Sequence, residues 1–204
     1  MVRGLPCFDL ATVIQLTGEK RASVIQQLHR FSDAGKIISL RRGMYALAEP
    51  YRAVPVQPAQ LASMLYRPSY LSDVWALSYY GIIPEGVSVF TSVTTRKPRR
   101  FRNAFGEYSY RSIKKSVFFG YSSVELMGRK IFLATPEKAL VDLWYLSQGE
   151  WSAERMHEMR FSHGEWLDDK VLADLIMKIG KPRLHRALEV WQKMRFDDQE
   201  GEFV

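Results

Sequence analysis

Residues able to do acid–base, nucleophilic or metal chemistry are few in this chain, and their spacing suits other tasks. Asp168-Asp169-Lys170 fits the short acidic-x-Lys pattern that holds magnesium in many nucleases when a second carboxylate is near. The triplet follows Trp166-Leu167 and precedes a helical stretch, so capping of that helix accounts for it. His157 and His163 are six apart, with Glu158 and Glu165 beside them. Ligands on one helix face need a spacing of three or four, and Gly164 interrupts the helix besides. Glu137, Lys138 and Asp142 read as helix-start chemistry with ordinary surface pairing. Cys7 is the only cysteine, which excludes a disulfide or a thiolate zinc site within one chain. The motifs G-x-x-x-x-G-K, G-x-S-x-G and H-E-x-x-H are absent. No catalytic residue, metal or cofactor is therefore expected, and the enzymatic alternative is a DNA-acting, metal-dependent nuclease.

The chemistry that the chain does advertise is cationic. Its net charge is +7 with a pI of about 9.5, a balance that favours a polyanionic partner. The surplus is local. Residues 96–115 hold Arg96, Lys97, Arg99, Arg100, Arg102, Arg111, Lys114 and Lys115 against Glu107 alone. Phe101, Phe105, Tyr108 and Tyr110 are interleaved with them. Phosphate neutralisation and base stacking together bind nucleic acid, and on duplex DNA such a patch contacts phosphates rather than bases. Two other readings stay open for this stretch: a solvated sheet face whose aromatics alternate inward, and an adaptor surface for an acidic protein.

A second cationic group lies on elements with a recognisable order. Asp9 is placed to cap a helix carrying Leu10, Val13, Ile14 and Leu16, which Thr17-Gly18 ends. A second helix over about 19–34 has an apolar stripe of Val24, Ile25, Leu28 and Phe31. Two short strands follow, K-I-I-S-L and M-Y-A-L, joined through Arg41-Arg42-Gly43. Helix, turn, helix and basic hairpin make a winged helix-turn-helix. The second helix is expected to lie in the major groove with its polar face on base edges; the other reading is a small winged helix used for protein contacts, its polar face solvated. Ser23, Gln26 and Arg30 occupy that face, flanked by Lys20 and Gln27, with Arg21 at the helix start. Arg41 and Arg42 would touch backbone or minor groove from the wing tip, supported by Lys36. Only about seven residues precede the first helix, so this unit lacks a third helix or borrows support from the rest of the chain.

Pro50, Pro55 and Pro58 mark an extended linker, and the domain boundary falls near residue 52. The reading is thus α+β: a winged helix-turn-helix over 1–52, then a larger mixed domain over 53–204. In the latter, helices at 57–66 and 69–80 precede an antiparallel sheet built from 87–94, 99–102, 107–111, 117–121 and 130–134. Thr135-Pro136-Glu137 opens a further helix, with Thr as cap and Pro at the first helical position. Residues 151–196 are helical, Trp144, Trp151, Trp166 and Trp191 are core, and the acidic tail 197–204 is frayed. No apolar run approaches a membrane span and no h-region opens the chain. With one cysteine, a cytoplasmic protein is expected.

Several of these segments resemble the AbiEi family of antitoxins from type IV toxin–antitoxin, or abortive infection, systems. They are Y-L-S-D-V-W-A-L-S-Y-Y-G-I-I-P-E (70–85), V-F-T-S-V-T-T-R-K (89–97), F-F-G-Y (118–121) and I-F-L-A-T-P-E-K-A-L-V-D-L (131–143). L-R-R-G-M-Y-A-L (40–47) is similar to the family's wing, and the resemblance spans roughly residues 8–147. It implies a bacterial transcriptional autorepressor whose winged helix binds inverted repeats in the promoter of its own operon. A dimer on DNA is compatible with that. It also implies a C-terminal domain that supports antitoxicity and cooperative DNA binding, and a nucleotidyltransferase-like toxin with which no stable complex is required.

Overall fold

The computed structural model describes residues 2–201, with the side chains of 165 and 196–201 left aside. The fold is α+β and contains two sheets. The smaller sheet is antiparallel throughout, with β1 (Phe8–Asp9), β2 (Ile37–Arg41) and β3 (Met44–Leu47) in the order β1-β3-β2. Helices α1 (Leu10–Thr17) and α2 (Arg21–Asp33) lie between β1 and β2 in the chain. Asp9 caps α1: its Oδ1 accepts from the Thr12 N–H and from the Thr12 hydroxyl, each at 2.8 Å. Gly18, at φ 69°, closes α1 by donating its N–H to the Ile14 carbonyl.

The small sheet is covered on both sides. Phe8 and Ile37, with Tyr45 and Leu47 beside them, pack under Val24 and Leu28 of α2 and against Leu10, Val13 and Ile14 of α1. Cys7, Leu40, Met44 and Ala46 instead join the main core of the molecule. The first fifty residues therefore share one face of their sheet with the core of the rest of the chain. The apolar stripe of α2 is narrower than its sequence suggests. Val24 and Leu28 are buried, whereas Ile25 and Phe31 are each 42% exposed, because so small a cluster covers only one narrow sector of the helix.

The proline-rich stretch includes a 3-10 turn at Glu49–Tyr51 rather than extended chain alone, and leads to α3 (Pro58–Leu65). The larger sheet comprises β4 (Ser69–Leu71), β5 (Val89–Thr94), β6 (Arg99–Asn103), β7 (Gly106–Ser112), β8 (Tyr121–Leu126) and β9 (Arg129–Ala134). Their order is β6-β7-β5-β4-β9-β8. It is mixed and not antiparallel as expected: β5 runs parallel to β7, and β4 parallel to β9. The expected helix over 69–80 also divides. Ser69-Tyr70-Leu71 is a buried central strand, and α4 (Asp73–Tyr79) begins only after it. A short run buried on both faces has no alternation to distinguish strand from helix. Likewise 117–121 is no strand, since a 3-10 turn occupies Lys115–Val117 and β8 starts at Tyr121.

Helix α5 (Pro136–Leu146) is capped by Thr135, as its Thr-Pro-Glu start predicts. The following region is three helices, α6 (Ala153–Glu158), α7 (Asp169–Ile179) and α8 (Pro182–Gly201). A turn at Gly164–Trp166 and Gly180 at φ 66° interrupt it. Of the tail expected to fray, α8 takes in the part up to Gly201, and 202–204 lie outside the described residues. Trp144, Trp151 and Trp191 are core, but Trp166 is 61% exposed and stacks on His163 at 4.3 Å.

Candidate nucleic-acid interface

Successive side chains advance by about 100° around a helix, so the sector of α2 opposite Val24 and Leu28 is decided by the burial of those two. Ser23, Gln26 and Arg30 fall in it and are exposed, as are Lys20 and Arg21 at its start. Gln27 is half-buried, and its side-chain amide donates to Glu19 at 2.5 Å. Ala22 and His29, which no sequence signal singled out, share the exposed arc. No ion pair occupies Lys20, Arg21 or Arg30 among the described residues.

The hairpin is less free than its sequence implies. Its tip is two residues long, and the Gly43 carbonyl accepts the Leu10 N–H at 3.1 Å, which ties the tip to the start of α1. Arg42 is exposed at this tip. Arg41 turns the other way: its Nε donates to the Leu65 carbonyl at 2.8 Å and its Nη1 to the Arg42 carbonyl at 3.2 Å. The burial of Leu40 and Met44 forces this, because the hairpin face they share is the one docked on the main core. Lys36 does not support the tip either. It precedes β2 at the far end of the hairpin and sits 5.8 Å from the Phe31 ring centre.

The segment 96–115 is divided between two faces of the larger sheet rather than gathered into one patch. Pairing of β6 with β7 sets Arg100 opposite Ser109 and Arg102 opposite Glu107, on the face that also bears Arg111. Arg99 and Phe101 stand on the other face, opposite Tyr110 and Tyr108. Arg102 pairs with Glu107 at 3.1 Å. Arg111 is bound to the buried Asp73 carboxylate and to the Leu146 carbonyl, so its guanidinium is structural. Arg96, Lys97, Arg99, Arg100, Lys114 and Lys115 remain exposed and unpaired with any carboxylate among the described residues. Base stacking on the interleaved aromatics is not available to the tyrosines. Tyr108 and Tyr110 are each 1% exposed, and burial pushes both phenols well above their ordinary range.

A cleft of about 540 Å³ opens where the small sheet meets the larger part of the chain. Arg41, Arg67, Arg96 and Arg99 line it, with Asp9 and the rings of Tyr66 and Phe101. Asp9 is engaged by the Thr12 hydrogen bonds, which hold its carboxyl below the usual range. Arg67 lies two residues past the end of α3, and no sequence signal singles it out.

One more charged cluster sits deeper. Lys138 and Asp142 are each wholly buried and ion-paired one turn apart on α5, not the surface pair their spacing suggests. The second Asp142 oxygen accepts from the Tyr70 hydroxyl at 2.9 Å and from the Ser72 hydroxyl at 2.8 Å. Lys138 also donates to the Tyr70 oxygen at 2.9 Å. Tyr70 stacks on Tyr121 at 4.4 Å, and Gly120 at φ 74° lets the chain pass against the Lys138 stem. Burial pushes the Lys138 ammonium down and the Asp142 carboxyl up. Segments 70–85, 118–121 and 131–143 thus meet at one sealed polar knot.

Both carboxylates of the Asp168-Asp169-Lys170 triplet have structural partners, and the Glu165 side chain lies outside the described residues. Asp168 caps α7 by accepting the Lys170 and Val171 N–H groups, and Asp169 pairs with Arg195 at 2.9 Å. Among the described residues no group of three His, Cys, Asp or Glu side chains is placed to hold a metal, and no helix is long and apolar enough to cross a membrane. No protein-family model matches the chain, and no curated protein is a significant match to it.

Proposed function

We propose that this protein is a sequence-specific duplex-DNA-binding autorepressor and the antitoxin of a type IV toxin–antitoxin system. It acts without catalysis of its own and counters a nucleotidyltransferase-like toxin. The observation that carries the DNA part is the exposed arc of α2, where Ser23, Gln26 and Arg30 stand opposite buried Val24 and Leu28 with Lys20 and Arg21 at its start. These side chains supply amide, hydroxyl and guanidinium groups to base edges, and Ile25 adds an apolar contact for a thymine methyl. The chain order strand–helix–helix–strand–strand with sheet order β1-β3-β2 supports a winged helix-turn-helix that leans on the rest of the chain. With so short a tip, Arg42 is the wing's contact, and it reaches a phosphate. The repressor–antitoxin role rests on the resemblance of the quoted segments to AbiEi proteins.

The test is fluorescence anisotropy with a duplex from upstream of the protein's own gene, titrated at several salt concentrations. Four exposed cations, Lys20, Arg21, Arg30 and Arg42, predict a slope of log affinity on log salt of roughly −4 per protomer. Gln26→Ala should change sequence preference more than affinity, and Arg30→Ala should weaken binding. A flat salt response would overturn the DNA reading. Failure of co-expression to rescue growth from a neighbouring nucleotidyltransferase-like toxin would overturn the antitoxin part.

A further inference from the structure

The cleft beneath the hairpin tip is built for a small anion in a way that the open α2 face is not. Three of its four arginines, Arg41, Arg67 and Arg96, are positioned by backbone carbonyls, and none of the four is neutralised by a carboxylate among the described residues. Arg41 is held by the Leu65 carbonyl, and Arg67 by the Ser63 carbonyl at 3.2 Å, both at the C-terminal end of α3. Arg96 donates to the Arg67 carbonyl at 3.2 Å and lies over the Tyr66 ring, 4.4 Å from its centre. Tyr66 is itself anchored by donating its hydroxyl to the Lys97 carbonyl at 3.1 Å. Arg99 makes no side-chain hydrogen bond among the described residues. None of the four forms an ion pair with a carboxylate among the described residues, and the one acid in the cleft, Asp9, is committed to Thr12. Four guanidinium groups against one carboxylate leave a net charge of +3 around a walled space of about 540 Å³.

Guanidinium forks of fixed direction recognise phosphate oxygens two at a time. A single carboxylate would leave most of this charge unanswered, whereas the two to four negative charges of a polyphosphate match it. The volume lies in the range of small-molecule sites, and the Phe101 ring on the cleft wall offers an apolar surface beside the charges. The cleft holds only about 540 Å³, and none of Ser23, Gln26 or Arg30 lines it. We propose that this cleft binds a small ligand bearing two or more linked phosphates, a nucleoside di- or triphosphate. Because Asp9, Thr12 and Arg41 belong to the first fifty residues and Arg67, Arg96 and Arg99 to the remainder, a bound polyphosphate bridges the two parts. The proposal is independent of DNA binding.

The experiment uses the full chain and isothermal titration with inorganic pyrophosphate, ATP and GTP at about 150 mM salt, where loose surface attraction is screened. Saturable binding of pyrophosphate and of at least one nucleotide is expected. The double change R96Q/R99Q should weaken it about tenfold or more. The matched double change K130Q/K170Q, which removes the same charge from exposed positions away from the cleft, should weaken it less than about twofold. Arg96 is exposed and gives up one hydrogen bond and one ring contact, and Arg99 gives up none, so the melting temperature should fall by no more than about 4 °C, which separates a loss of binding from a loss of fold. Absence of binding up to about 10 mM ligand overturns the proposal. So does an equal loss in both double variants, which would mean diffuse attraction only. A third overturning result is that R96Q/R99Q abolishes duplex binding while leaving nucleotide binding intact, which would assign these arginines to the DNA footprint instead.

Discussion

Replacing Asp142 by Asn keeps the shape of the side chain and removes one charge from a pair with no contact to water. The Lys138 ammonium is then left facing a neutral amide and the Tyr70 hydroxyl. A buried ion stripped of its partner costs about 3–5 kcal/mol, against about 0–1 kcal/mol for an exposed pair. The single change Lys138→Met should cost a similar amount, because it strands the Asp142 carboxylate with only the Tyr70 and Ser72 hydroxyls. Making both changes removes both charges while Asn still bonds those hydroxyls, so the double variant should lose much less than the sum. The expected coupling is about 2–3 kcal/mol. Urea unfolding of the four proteins, with constant denaturant dependence as the check on two-state behaviour, measures it. Additive losses, or single losses below about 1 kcal/mol, would show that water reaches the pair and refute the sealed-knot reading.

Gly120→Ala should be far more damaging than Gly18→Ala, although both residues have positive φ. A Cβ at 120 would lie 2.8 Å from the Lys138 Cγ inside the knot, whereas at 18 nothing lies within 4 Å, leaving about 1–2 kcal/mol of left-handed strain; equal melting shifts would contradict this. Burial pushes the Cys7 thiol up to about 11 from 9.0, so the folded protein keeps a proton that the unfolded chain loses. This group's contribution to stability is therefore complete below pH 9.0 and declines as pH rises towards 11, and alkylation at pH 8 should be roughly 100-fold slower than in urea; rapid labelling of the native protein would count against it. Arg41→Ala should lower the melting temperature by loosening the docked hairpin, while Arg42→Ala should leave it unchanged and weaken duplex binding of every sequence. The reverse pattern would mean that Arg41 is the outer contact.

Local chemistry was readable from the residues alone. Asp9, Thr135 and Asp168 cap helices because a short oxygen-bearing side chain ahead of an apolar run has a free N–H group within reach whatever surrounds it. The hairpin at Arg42-Gly43 and the exposure of Ser23, Gln26 and Arg30 follow from turn chemistry and helical period in the same way. Tertiary pairing decided the rest. Strand β4 has too few residues, all buried, to show a period, and its parallel pairing with β9, like that of β5 with β7, makes the sheet mixed. Lys138 and Asp142 have the spacing of a surface pair, and only the packing of Tyr70, Phe119 and Gly120 over α5 takes them out of water. Arg41 and Arg42 are adjacent and identical in type, yet the docking of Leu40 and Met44 on the main core turns one inward and leaves the other free. Sequence spacing specifies what a side chain offers and the period on which it recurs; which solvent it meets is set by surfaces that come from distant parts of the chain.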